Sequence, residues 1–181
     1  MLKTLARTMS KTVSKNQPQT PISRKMRKSN LILGLFWVLI MISACSRKSI
    51  YQEVYDIKKG EWAKNQVVKF DIPVYDTVNG YNILLEIRNT NEYPYSNLFL
   101  FVTTYSPNKA VKKDTIEVTL ADDKGKWLGR GLGGIRSNGV MFKNNIRFPV
   151  TGTYKVEVVQ GMRDDVLQGI IDFGLNVQRV K

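Results

Sequence analysis

The chemistry available to this chain is limited first by its inventory of side chains. It has no histidine and only one cysteine, Cys45. Ser-His-Asp and Cys-His catalytic sets, Cys/His metal sites and a disulfide within the chain are therefore excluded. The single thiol follows directly on the longest apolar run of the sequence, the uncharged stretch 31–44. This position indicates processing of the thiol rather than packing in a core.

The segment that ends at Cys45 has the layout of a signal peptide with a lipidation site. A transmembrane helix needs about 20 apolar residues, whereas a signal-peptide core needs about 7 to 15 behind a basic flank. The run follows basic "MRK" at 26–28 and ends in "ISAC" at 42–45, which resembles the bacterial lipobox. Cys45 would accept a diacylglyceryl group and become the new N-terminus. The alternatives are a short uncleaved signal anchor and a buried core helix with an incidental cysteine.

This interpretation divides the chain into three parts: a signal peptide at 1–44, a lipidated tether at 45–50 and a domain at 51–181. Because bacterial basic leaders are usually only a handful of residues long, we expect an over-called start and a true start at Met26, with an extended leader as the alternative. The formal net charge is +13, but the stretch before Cys45 has no acidic residue, and the signs are well mixed after it. Nucleic-acid binding is therefore not indicated.

After residue 50 the apolar residues recur with a period of two, without a sustained helical stripe. Alternation predicts strands at 68–72, 81–87, 116–120, 154–158 and 171–177, and 98–102 is apolar on both faces, which predicts a central strand. Turn formers separate these runs, at Asn79-Gly80, Tyr93-Pro94-Tyr95, Pro107-Asn108, Lys124-Gly125, Asn138-Gly139 and Thr151-Gly152. About eight or nine strands at hairpin spacing predict an all-β fold, an antiparallel β-sandwich of jelly-roll type.

The stretch "GRGLGG" at 129–134 is a formal match to the dinucleotide-binding pattern GxGxxG. Such a site needs a following helix whose N-terminal amides face the pyrophosphate. The next residues, "IRSNG" at 135–139, do not open a helix. A glycine-rich loop that needs positive φ or close backbone approach is expected instead, and no nucleotide or other cofactor.

Arg163, Asp164 and Asp165 form a compact cluster of charge in the sequence. Adjacent carboxylates suit calcium binding or acid/base work, but calcium takes six to eight oxygens and this stretch offers too few. No metal site is predicted. An aspartate that caps a short turn, or pairs with Arg163, is the expected role.

Two sets of aromatic residues are candidates for binding. Trp62 and Trp127, or Tyr93 and Tyr95 of the proline turn, could stack on sugars, although large aromatics in a sandwich more often fill the core. The proline turn at 93–95 is expected to project its tyrosines rather than bury both, and loops carry function more often than scaffolds do. Tyr93 and Tyr95 are therefore predicted partner contacts. Arg163–Asp165 would form the polar rim if the fold brings the two loops together.

Three stretches carry a family resemblance: "RNTNEYPYSNLFLFV" at 88–102, "GKWLGRGLG" at 125–133 and "GMRDDVLQGIIDFGL" at 161–175. They resemble the gliding-motility lipoprotein GldH family, and the resemblance runs from Tyr51 to Val177. It implies a lipid-anchored outer-membrane protein that works with other gliding-machinery or envelope proteins, with no catalytic residue attached to the family. A glycan-binding envelope lipoprotein is the alternative function, and an enzyme is disfavoured.

Two further expectations follow from comparison with bacteria of that family. Their surface lipoproteins commonly carry an acidic signal after the cysteine, whereas "SRKS" at 46–49 is basic, which predicts the periplasmic face. The triplets Asp76-Thr77-Val78 and Asp114-Thr115-Ile116 resemble the short O-glycosylation sites of such bacteria. Thr77 and Thr115 are therefore candidate glycosylation sites.

Overall fold

The structure is a computed structural model that describes residues 49–180. The predicted signal peptide, Cys45 and the first residues of the tether lie outside the described residues. Within residues 49–180 there are ten β-strands and a short 3-10 turn at Lys58–Gly60. The strands are β1 Ser49–Asp56, β2 Glu61–Ala63, β3 Val68–Val74, β4 Tyr81–Thr90, β5 Asn97–Tyr105, β6 Val111–Thr119, β7 Ile135–Ile146, β8 Gly152–Gln160, β9 Val166–Gln168 and β10 Ile170–Arg179.

The eight long strands form two antiparallel four-stranded sheets. Sheet A has the order β1-β10-β4-β7, and sheet B has the order β3-β8-β5-β6. The two three-residue strands, β2 and β9, pair separately. In chain order the long strands alternate between the two sheets, except that the consecutive strands β5 and β6 lie in the same sheet. This order is that of a double Greek key, the jelly-roll arrangement. The predicted all-β jelly-roll sandwich is confirmed.

The period-two pattern forms these strands because each one buries one face. In β4, residues Tyr81, Ile83, Leu85 and Ile87 are buried, while the residues between them are only partly covered. β3 repeats the pattern with Val68, Phe70, Ile72 and Val74. Side chains of a strand point alternately to its two faces, so these residues meet in a single core between the sheets. Phe173 joins the layers, with ring centroids 5.6 Å from Trp62 and 6.0 Å from Phe70.

Every long strand reverses the direction of the one before it, so the connecting loops gather at two ends. Ser49 pairs with Gln178, and Arg179 pairs with Tyr81. We call this the tether end, and its loops are 75–80, 106–110 and 147–151. The far end has the loops 57–67, 91–96, 120–134 and 161–169. The two ends differ in which predicted functional residues they carry.

Two of the long strands were not predicted. β1 includes Ser49 and Ile50, which the sequence assigned to the tether, and β7 includes Asn138-Gly139, for which a turn was predicted. The turn prediction is wrong because Asn138 and Gly139 pair in register with Ile87 and Glu86. A Cβ added at Gly139 would meet nothing within 4 Å, so this glycine neither kinks nor crowds the strand.

No helix within residues 49–180 is long and apolar enough to cross a membrane.

Candidate partner-binding surface at the far end

The proline turn between β4 and β5 buries one of its two tyrosines. The side chain of Tyr93 is only 3% exposed, and its hydroxyl donates a hydrogen bond to the Asn97 carbonyl at 2.7 Å. Its ring packs edge-on against Tyr95, with centroids 5.9 Å apart, and lies 6.4 Å from the ring of Trp127. Burial raises the pKa of the Tyr93 hydroxyl. The expectation that the turn presents Tyr93 to a partner is wrong, because the ring closes the far end of the core.

Tyr95, in contrast, is half-buried and lies at the surface of the turn. Its hydroxyl donates a hydrogen bond to Oδ2 of Asp164 at 2.8 Å. This hydrogen bond, with a smaller effect of burial, raises the pKa of Tyr95 above its ordinary value. The fold therefore brings together the two loops that the sequence singled out, and it joins them by a direct side-chain contact.

The loop that carries Asp164 is anchored by buried side chains that were not predicted from the sequence to have a role. Gln160 is buried; its Nε2 donates to the Asp164 carbonyl at 2.8 Å, and its Oε1 accepts from the Met162 amide at 2.7 Å. The sulfur of Met162, which is also buried, accepts from the Phe99 amide at 3.3 Å. The amide of Lys64 donates to the Asp165 carbonyl at 2.7 Å. The backbone of this loop is thus anchored on several sides.

The charged side chains of the loop differ in how they are used. Arg163 and Asp165 are exposed, whereas Asp164 is partly covered and hydrogen bonded to Tyr95. In residues 49–180, carboxylates do not gather in groups of three or more that could hold a metal ion. The loop therefore offers exposed charges of both signs next to a tyrosine, which is a surface suited to polar contact with a protein.

The glycine-rich stretch forms a narrow loop that runs directly into β7. Arg130 and Ser137 pair across its base through two backbone hydrogen bonds of 3.0 and 2.7 Å. Nη1 of Arg136 donates to the Gly133 carbonyl at 3.0 Å, and Gly133 has φ +64. The helix that a dinucleotide site requires is replaced here by a strand, so the expectation of a glycine-rich loop is confirmed.

Among the large hydrophobic side chains that the structure describes, the most exposed lies on this glycine-rich loop. Leu132, at its tip, is 95% exposed. The base of the loop touches the tyrosine turn, because the Asn91 amide donates to the Gly134 carbonyl at 2.9 Å. Leu132 was not predicted to be a functional residue, although its position between two glycines was an available signal.

The two tryptophans within residues 49–180 take structural positions. Trp62 is fully buried, and its Nε1 donates to the Gln66 carbonyl at 3.1 Å. Trp127 is partly buried and packs against the core beside Tyr93. The choice between a glycan-binding and an assembly function depends on whether the aromatics line an open groove or fill the core. Trp62 and Tyr93 fill the core, which weakens the glycan-binding alternative.

The candidate glycosylation sites occupy different settings. Thr77 is partly covered in the loop 75–80, and Thr115 is exposed on β6, opposite Phe101. Beside Thr115, Asp114 forms an ion pair of 2.9 Å with Lys143. That pair joins β6 to β7 and so links the edges of the two sheets. Thr115 therefore lies on a regular strand and Thr77 on a turn.

An open groove of about 360 Å³ lies on the outer face of sheet A. Glu86, Arg88, Gly139 and Asp172 line it, and Nε of Arg88 donates to Oδ2 of Asp172 at 2.6 Å. The carboxylate of Asp172 is nearly inaccessible. Because Arg88 already neutralises this buried carboxylate, the pair is a structural contact of sheet A, and the sequence analysis did not predict it.

By its fold the chain is a jelly-roll β-sandwich protein, and the loops of its far end present charged and apolar side chains to solvent. Residues 49–177 match the family model described as GldH lipoprotein. The chain therefore belongs to the GldH lipoprotein family, a family of gliding-motility lipoproteins.

Two relatives support this membership. The chain is 34% identical to a gliding motility lipoprotein GldH homolog of Christiangramia forsetii over 161 residues, which cover 85% of this chain and 98% of the relative. It is 32% identical to the gliding motility lipoprotein GldH of Flavobacterium johnsoniae over 152 residues, covering 80% and 94%. Among solved structures, a 4-O-methyl-alpha-glucuronidase is similar with a TM-score of 0.43 and 11% identity, over 76% of this chain and 18% of that one. That likeness is too low to bear on function.

Proposed function

We propose that this lipoprotein is a non-catalytic accessory or assembly factor of the gliding or envelope machinery, and that it acts through protein contacts at its far end. The observation that carries the proposal is the hydrogen bond between Tyr95 and Asp164. It makes one continuous surface from two loops that are distant in the sequence. We define the far-end surface as Tyr95, Arg163, Asp164, Asp165 and Leu132.

The composition of the far-end surface suits protein recognition. Leu132 is a highly exposed apolar side chain, and Arg163 and Asp165 are exposed charges on another loop of the same end. Exposed apolar groups rimmed by polar residues are typical of protein interaction sites. Hydrogen bonds from the side chains of Gln160 and Arg136 already order the backbone of these two loops. The loops would therefore lose little conformational entropy when a partner binds.

The anchor is part of the proposal. We place the lipid on Cys45, and two or three acyl chains are needed for durable attachment because one chain binds only weakly. The basic residues that follow Cys45 support the periplasmic face of the outer membrane as the location.

Modification of Thr77 and Thr115 by glycans remains a prediction. Intact-mass analysis of the mature protein would reject both sites if it shows the lipid alone.

The length of the sandwich supports a far-end contact. β1 has eight residues and runs from the tether end to the far end. Seven steps of about 3.4 Å separate Ser49 from Asp56 by about 24 Å along the strand, so the far end lies about that far from the residue nearest the anchor. At that distance the far-end surface is accessible to a partner that does not itself bind to the lipid headgroups.

The test is affinity capture of the lipidated protein from crosslinked envelopes. The variant combines Arg163→Ala, Asp165→Ala and Leu132→Ala, since these side chains are exposed and their loss removes no core contact. We expect several-fold less partner captured, with normal protein level and lipidation. Val111→Ala, at an exposed position of the tether end, is the matched control. Undiminished capture by the triple variant would refute the far-end contact.

A further inference from the structure

At the tether end, the loop 75–80 presents two large side chains to solvent. Tyr75 is 87% exposed and Val78 is 75% exposed. Neither contributes to the core, and both lie on one short connection between β3 and β4. From the sequence, this stretch was predicted to turn at Asn79-Gly80 and to offer Thr77 for glycosylation, but Tyr75 and Val78 were not predicted to have a role.

The loop is held in one conformation by its aspartate. Oδ1 of Asp76 accepts from the amides of Val78 at 2.8 Å and Asn79 at 3.3 Å, and the Asn79 side chain donates to the same carboxylate. These hydrogen bonds, first that of the Asn79 side chain, lower the pKa of Asp76 to about 2, so the carboxylate is charged at physiological pH. The Val180 amide donates to the Gly80 carbonyl at 2.9 Å. The exposed side chains are therefore presented by an ordered turn.

The covalent chain determines which surface can approach this loop. Ser49 lies at the same end as the loop, because β1 begins there and pairs with the last residues of β10. Cys45 precedes Ser49 by four residues, a stretch that spans at most about 14 Å when fully extended. A lipid on Cys45 therefore keeps the tether end within a short distance of the headgroups.

The charge of the tether end is favourable for that approach. Its loops and the end of β10 carry Lys109, Arg147 and Arg179 against the single acid Asp76, which lies 4.0 Å from Arg179. Basic groups near a bilayer are attracted by anionic headgroups. Tyrosine favours the headgroup level, where its ring is partly apolar and its hydroxyl stays hydrated.

We propose that Tyr75 and Val78 enter the headgroup region of the bilayer to which the protein is anchored. The occupant of this surface is thus a phospholipid headgroup layer, and the inference rests on lipidation of Cys45. The loop acts as a second, noncovalent contact beside the lipid. Two contacts restrict the tilt of the sandwich and direct the far-end surface away from the bilayer.

The experiment uses the fact that Cys45 is the only cysteine of the chain. In the mature lipoprotein its sulfur carries the lipid, so Val78→Cys supplies the one free thiol, and Leu132→Cys supplies a matched control at the far end. Each full-length lipoprotein is purified and reconstituted into phosphatidylethanolamine and phosphatidylglycerol vesicles. It is then spin-labelled, and the label's collision rates with oxygen and with a water-soluble nickel chelate are measured.

We expect the label at position 78 to collide several-fold less often with the nickel chelate than the label at position 132, and more often with oxygen. Equal accessibility at the two positions would overturn the lipid contact. Mass spectrometry of the same samples separates the two levels of inference. An acylated Cys45 with a water-exposed label at 78 refutes only the loop contact, whereas an unmodified Cys45 refutes the anchor and the contact together.

Discussion

Truncation of Tyr93 should destabilise the domain severely, because this ring belongs to the core. Tyr93→Ala removes a fully buried aromatic side chain and leaves a cavity beside Tyr95 and Trp127. Large-to-small changes of this kind cost about 3 to 5 kcal/mol. Tyr93→Phe isolates the hydroxyl, whose hydrogen bond to the Asn97 carbonyl contributes about 1 kcal/mol.

The assay is urea unfolding of the chain from Ser46 onward, monitored by tryptophan fluorescence. We expect the midpoint to fall strongly for Tyr93→Ala and slightly for Tyr93→Phe, with an unchanged slope m. At about 3 °C per kcal/mol for a domain of this size, Tyr93→Ala should lower Tm by roughly 12 °C. Tyr95→Phe is the control and should have a much smaller effect. A loss below about 1 kcal/mol for Tyr93→Ala would refute core burial of the ring.

Three other variants test the anchor and the loops. Cys45→Ala should leave an uncleaved, unlipidated precursor, and fatty-acid labelling that persists in this variant would contradict the anchor. Because hydrogen bonds lower the pKa of Asp76 to about 2, its carboxylate stabilises the folded state above about pH 4 and this stability is lost as the pH falls through 2. The stability difference between wild type and Asp76→Asn, measured by urea unfolding, should therefore shrink between pH 4 and 2, and a constant difference would argue against the Asp76 turn. Asp164→Asn should lower the pKa of Tyr95, measured by tyrosinate absorbance, since the Asp164 hydrogen bond raises it. Because the pKa of Tyr95 is raised in the folded state, the hydrogen bond contributes stability below about pH 10, and this contribution is lost as the pH rises. An unchanged Tyr95 titration in Asp164→Asn would show that the hydrogen bond to Asp164 does not form in solution.

The sequence predicts the strands that bury one face and misses those that do not. β3, β4 and β8 alternate in polarity because each packs one face on the core, and this alternation is visible in the sequence. β1 and β7 are edge strands of sheet A with mostly exposed or partly covered residues. Their backbone pairs with a neighbouring strand although their side chains carry little hydrophobic pattern, so periodicity alone does not detect them.

The burial of Tyr93 could not be read from its turn. A proline flanked by tyrosines predicts that the chain turns there, but not which ring faces inward. Tyr95 meets Asp164, which lies 69 residues away in the sequence. Trp127, on a third loop, also packs near Tyr93, with ring centroids 6.4 Å apart. Which ring is covered is thus decided by loops that are remote in the sequence and close only in the fold.

The strand count explains why the meeting of the two predicted loops could not be derived from the sequence. In a sandwich whose long strands alternate in direction, loops that follow strands of the same parity share an end. With β1 and β7 missing, the tyrosine turn follows the second predicted strand and the Asp164 loop follows the fifth, which would place them at opposite ends. With both strands included, the two loops follow the third and seventh long strands, and the glycine-rich loop follows the fifth. A single undetected strand, β7, therefore reverses the placement of Asp164, and its pairing with β4 puts all three loops at the end away from the tether.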